Sequence, residues 1–152
     1  MKQLMSVIMV ILCLTATAEA RLQTQVMEYR QGGVVLEGYL AYDDAFKGKR
    51  PGVLVVHEWW GINEFIKEKT ENLAKLGYVA FAADIYGKGV RTTDFQEAAV
   101  ISGKYKKEPE LLRSRAKAGL TKLKSLKQTD GKRLAAIGYC FGGTTVLELA
   151  RS

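Results

Sequence analysis

Gly138-Tyr139-Cys140-Phe141-Gly142-Gly143 follows directly on an apolar run, 134–137. A thiol with glycine two residues away on each side fits a sharp strand-to-helix turn that lifts one side chain clear of a sheet. Such a turn forces its central residue into a strained backbone conformation, so its neighbours have to be small. The helix that follows points free N–H groups and about half a positive charge at the sulfur. That placement favours the anionic sulfur, the form that attacks electrophilic carbon. The same residues also fit a glycine-rich turn around a buried, inert cysteine.

Two other stretches carry reactive side chains at comparable places. His57-Glu58-Trp59-Trp60-Gly61-Ile62-Asn63 follows the β-branched run 53–56, and Asp84-Ile85-Tyr86-Gly87-Lys88-Gly89 closes the apolar run 78–83. A Glu58 carboxylate beside a thiol would couple to the thiol's titration; alone it is a solvated or helix-capping group. Trp59 and Trp60 fit either the wall of an apolar pocket or core and lid packing. Lys88 reads equally as a solvated loop lysine.

The elements that must position these residues follow from patterning. Segments 24–29 and 34–42 read as extended, with Gly32-Gly33 as the turn of a hairpin. The runs 53–56 and 78–83 read as buried strands, and 134–137 as a last short one. Asn63 is the expected N-cap of a helix over 63–76 that stops at Gly77. Thr93 to Gln96 fits a capping box for a helix reaching about Lys104. Pro109 fits the first position of a further helix, Asp130-Gly131 reads as a turn, and 142 onward reads as helical. After the hairpin the order is β-α-β-α-α-β-α. It predicts an α/β fold with a mostly parallel sheet and helices on both faces. Ligands meet such sheets at the carboxyl ends of the strands, where all three stretches lie.

With those three motifs in that order, the chain resembles the dienelactone hydrolase family of the α/β-hydrolase fold over about 26–152. The family carries G-x-C-x-G-G at the elbow, H/Q-E-x-x-G after an earlier strand, and a D-I-Y-G-like pattern. The resemblance implies Cys140 as nucleophile and Glu58 as the carboxylate that helps activate it. It implies the backbone N–H groups of Phe141 and Trp59 as an oxyanion hole. Lys88, Tyr86 and Trp60 become candidates for substrate binding, Lys88 for a substrate carboxylate. The implied substrate is a lactone or small ester, cleaved through an acyl-thioester with neither metal nor cofactor. His57, the only histidine, precedes Cys140, whereas in this fold acid and histidine follow the nucleophile. We read His57 as structural or supporting. No match to the family's acid and histidine follows Cys140; Glu148 lies on the helix and is not one. The expectation is therefore a hydrolase domain truncated after the elbow, with 134–137 as an unpaired, aggregation-prone edge and poor solubility. The competing reading is a non-catalytic scaffold, or a remnant that binds a small carboxylate.

Composition bounds the rest. The chain has 152 residues, 47% of them hydrophobic and 26% charged, which suits one domain. Residues 1–20 carry Lys2, an apolar core over 4–14 and Ala18-Glu19-Ala20, the pattern of a secretory signal peptide cleaved after Ala20. That leaves a partial hydrolase domain over 21–152, periplasmic or secreted, without a stable membrane anchor. Leu12 before Cys13 argues against lipoprotein processing. Cleavage would remove Cys13 and leave Cys140 as a lone thiol, with the net charge still +7. Much of that charge lies in 104–133, but Leu112, Ala116, Leu120 and Leu123 recur there at helical spacing. The bases therefore form the solvated face of an amphipathic helix. The run lacks the interleaved aromatic residues of a nucleic-acid surface.

Overall fold

The computed structural model describes residues 21–152. The expected leader and Cys13 lie outside them. Strands β1 (Leu22–Gln31) and β2 (Val34–Asp43) form an antiparallel hairpin with Tyr29 opposite Leu36. Gly32, at φ 56°, takes the left-handed backbone its turn needs. Both strands run further than the sequence predicts. The remaining strands are β3 (Arg50–Val56), β4 (Val79–Ala83) and β5 (Thr129–Gly138). The sheet order is β1-β2-β4-β3-β5. Strand β3 pairs in parallel with β4 and β5, whereas β2 meets β4 antiparallel. The three strands after the hairpin are thus parallel to one another as expected, and the hairpin adds the antiparallel pairings at one side of the sheet.

Alternation along β3 splits the core. Val53 and Val55 face Ile66 of helix α1 (Glu64–Lys75) on one side of the sheet. Leu54 and Val56 join Phe81 and Ala83 on the other. That second face is covered by α2 (Phe95–Lys107), α3 (Pro109–Ser125) and α4 (Phe141–Ala150). Fully burying a side chain such as Leu54 or Phe81 stabilises by about 1.5–3 kcal/mol, so the two layers hold the three parallel strands firmly.

The Asn63 side chain caps α1 by accepting from the Ile66 N–H at 3.1 Å, and Gly77 at φ 92° follows its end. Helix α2 starts one residue later than the capping box predicts. Asp94, not Thr93, accepts from the Glu97 N–H at 2.8 Å, and the Thr92 hydroxyl donates to the Glu97 carboxylate at 2.5 Å. Asp130-Gly131 does not separate a helix from a strand. It lies within β5, where the register jumps from Pro51 opposite Asp130 to Gly52 opposite Leu134. The Asp130 carboxylate accepts from the Lys132 N–H at 3.0 Å and holds that bulge. Helix α3 buries Leu112, Ala116 and Leu123, the apolar stripe of the basic segment. No helix among the described residues is long and apolar enough to cross a membrane.

Candidate active site

Strand β5 delivers Cys140 to its position. The Tyr139 N–H still bonds the Val56 carbonyl at 3.1 Å, extending the β3–β5 pairing by one residue before the chain turns. Cys140 then takes φ 53°, ψ −111°, and it is the one non-glycine at positive φ among the described residues. That conformation lies outside even the left-handed helical region and is strained for any residue with a β-carbon. Bonds from Gly142 N–H to the Tyr139 carbonyl at 2.8 Å and from Gly143 N–H to the Cys140 carbonyl at 2.9 Å hold the turn. A β-carbon on Gly138 would lie 2.6 Å from the Gly143 nitrogen, and one on Gly142 2.8 Å from the His57 carbonyl oxygen. Both glycines are therefore steric requirements of the bend. Cys140 is exposed and unbridged, at the N-cap of α4. The Phe141 N–H beside it donates to no group among the described residues.

The segment after β3 approaches the same place. His57 is fully buried. Its Nε2 accepts from the Ile85 N–H at 3.2 Å, so the proton sits on Nδ1 and is donated to the Glu58 carbonyl at 2.5 Å. Burial lowers the His57 pKa; the Glu58 hydrogen bond and the Asp84 charge oppose this, and Arg91 adds to it. The imidazole is thus neutral with both nitrogens engaged. The Trp59 N–H, like that of Phe141, donates to nothing among the described residues. The half-buried Glu58 carboxylate has no hydrogen bond or ion pair there.

The segment after β4 is fixed by one carboxylate. Asp84 accepts from the N–H groups of Tyr86 at 2.9 Å and Gly87 at 3.0 Å, and from Glu37 on the hairpin at 3.0 Å. Tyr86 is buried, and its hydroxyl donates to the Trp59 carbonyl at 3.1 Å. Burial, with the neighbouring Tyr105 and Cys140, pushes the Tyr86 phenol pKa up. Tyr86 therefore braces the Trp59 peptide from inside. Lys88 is engaged by the hairpin. Its ammonium pairs with Glu28 of β1, and its N–H donates to the Val35 carbonyl at 2.9 Å.

Sequence reasoning missed Phe95. Its ring meets Trp59 at 5.8 Å and Trp60 at 5.1 Å, and the two indoles meet at 4.9 Å, all edge to face. Trp60, Asn63, Thr92, Thr93 and Phe95 line a cleft of about 280 Å³. An aromatic residue directly after the Asp94 cap is the one local signal, and only the fold brings it to the tryptophans. Among the described residues no cluster of acidic, histidine and cysteine side chains is arranged to hold a metal.

Comparison with known proteins supplies an independent line. Residues 36–152 match the model of the dienelactone hydrolase family. A protein of Aquifex pyrophilus named usf is 33% identical over 130 residues, which cover 83% of this chain and 54% of that protein. An Aquifex aeolicus protein provisionally named a carboxymethylenebutenolidase has the same identity and coverage. Among solved structures, a dienelactone hydrolase-like promiscuous phosphotriesterase from metagenomic libraries superposes with a TM-score of 0.82 at 37% identity. It is covered over 54% of its length by 86% of this chain. The chain spans about half the length of these relatives.

Proposed function

Since this chain belongs to the dienelactone hydrolase family, we propose that Cys140 is the nucleophile of a hydrolase acting on a lactone or small carboxylic ester. The observation that carries the reading is an exposed thiol held at φ 53° beside the free N–H of Phe141. The sulfur attacks the carbonyl carbon, and the π electrons move onto oxygen. The N–H groups of Phe141 and Trp59 receive that oxyanion; one such donor is commonly worth about 2.7–4 kcal/mol in the transition state. The thiol proton passes to the unpartnered Glu58 carboxylate and on to the departing alkoxide as the C–O bond breaks. An acyl-thioester and an alcohol result; when the substrate is a lactone, the alcohol stays tethered as the hydroxyl end of the ring-opened acyl chain on sulfur. Trp60, with Phe95, offers an apolar wall for the substrate. No cofactor enters this scheme.

A second reading draws on His57. The chain's only histidine is buried with both nitrogens bonded to the backbone, so it is not placed to activate water against the thioester. This chain would then acylate and stall, as a binding scaffold that retains its substrate's acyl group. One experiment separates the two: p-nitrophenyl acetate with quantified p-nitrophenolate and mass analysis of Cys140. A stoichiometric burst with an acetyl adduct on Cys140 supports the nucleophile. Continued release beyond one equivalent supports turnover. No adduct on Cys140 ends the nucleophile reading.

We also propose export to the periplasm or exterior, on the pattern of residues 1–20. Amino-terminal sequencing of the mature protein tests it, and a start at Arg21 is expected.

A further inference from the structure

His57 is invoked by no step above, yet it is fully buried and touches all three segments of the site. Its Nδ1–H holds the Glu58 carbonyl at 2.5 Å, and its Nε2 is held by the Ile85 N–H at 3.2 Å. The Tyr86 ring meets it edge-on at 4.7 Å, and the Phe141 ring stacks on it at 5.9 Å. The Glu58 carbonyl and the Trp59 N–H are two ends of one planar peptide unit and point in opposite directions. Fixing the carbonyl therefore fixes the direction of the N–H. Gly61 N–H reaches the same carbonyl only at 3.4 Å, so His57 provides its short bond.

We propose that His57 is a positioning residue that aims the Trp59 N–H at the oxyanion by gripping the opposite end of the same peptide. The inference rests on the reading of Trp59 as an oxyanion donor. The grip is rigid because the ring is itself locked: the Ile85 N–H sets its tautomer and Tyr86 and Phe141 confine its plane. Tyr86 completes the clamp by donating to the Trp59 carbonyl at 3.1 Å. Because Phe141 supplies the second donor and stacks on the same imidazole, one ring sets the spacing of both donors. A histidine that only filled space would not need its proton on Nδ1.

The test compares two reactions of the same thiol. Acylation by p-nitrophenyl acetate passes through an oxyanion; alkylation by iodoacetamide does not. In the full chain, His57→Leu is expected to slow Cys140 acylation by about 100-fold, with alkylation changed less than about threefold. His57→Asn, which returns an amide donor near the Nδ1 position, is expected to restore most of the acylation rate. Equal loss in both reactions, or unchanged acylation in folded His57→Leu, would overturn the proposal. If His57→Leu does not fold, His57→Asn decides: a ratio of acylation to alkylation near that of the natural chain supports the grip, and a tenfold fall overturns it. Failure of the underlying mechanism looks different. The natural chain would then acylate no faster than N-acetylcysteine while still being alkylated, and both readings would fall together.

Discussion

Gly142 lays its bare α-carbon against the backbone of His57: a β-carbon there would lie 2.8 Å from the His57 carbonyl oxygen, and closer still to that of Val56. Both obstacles are main-chain atoms, one at the end of β3 and one just beyond it, so neither swings aside. Gly142→Ala is expected to destabilise the fold by about 3 kcal/mol or more, in the range of severe steric substitutions. Urea denaturation measures it. A loss under about 1 kcal/mol would mean that the turn relaxes, and would contradict the close approach.

The strain at Cys140 predicts an unusual ordering of variants. Glycine tolerates φ 53° with ψ −111°, and alanine does not. Cys140→Gly should therefore be more stable than Cys140→Ala by about 1 kcal/mol, reversing the usual preference for alanine. Neither should form an acetyl adduct. Paired urea midpoints check the ordering, and an alanine variant equal to or better than glycine would refute it.

These two residues show what a sequence displays locally. Glycine spacing around Cys140, the Asn63 cap and Pro109 at a helix start are local steric or hydrogen-bonding demands, so the sequence displays them. Other features are decided by distant contacts. Thr93–Gln96 and Asp94–Glu97 are both acceptable caps. Helix α2 buries Ala98, Ser102 and Tyr105, and that packing selects the second frame. Asp130-Gly131 has turn chemistry but spends it on a bulge inside β5. Lys88 pairs with Glu28, sixty positions away in the chain, a relation no local pattern encodes. Phe95 joins the tryptophans for the same reason.

His57 makes stability depend on pH. Its folded pKa lies below its ordinary value of 6.5, burial being the main cause. Above about pH 6.5 both folded and unfolded chains carry it neutral, and its contribution is complete. Below that value the unfolded chain takes up the proton first, so stability falls as pH drops from 6.5 toward the lowered folded pKa. The slope approaches about 1.4 kcal/mol per pH unit. Urea titrations at several pH values should show this fall, and His57→Asn should flatten it. An unchanged slope in the variant would assign the effect to other groups.

Tyr29 links the hairpin to the segment after β4. Its hydroxyl donates to the Asp84 carbonyl at 3.1 Å and accepts from the Asp84 N–H at 3.0 Å. Burial pushes the phenol pKa up, the Asp84 charge adds to it, and the group stays neutral. Tyr29→Phe keeps the ring, which packs on Phe81 at 5.6 Å, but strands two backbone groups. A loss of about 1–3 kcal/mol is expected in chemical denaturation. An isosteric change without effect would show that water replaces the hydroxyl.

Strand β5 is gripped along one flank by β3 and, among the described residues, by no strand along the other. The elbow hangs on that one flank: the Tyr139 N–H bonds the Val56 carbonyl at 3.1 Å, and Gly142 lies against the Val56 and His57 backbone. The segment that carries Trp59 leaves the same strand. The end of β3 is thus a common root, and a change there displaces Cys140, Phe141 and Trp59 as one body.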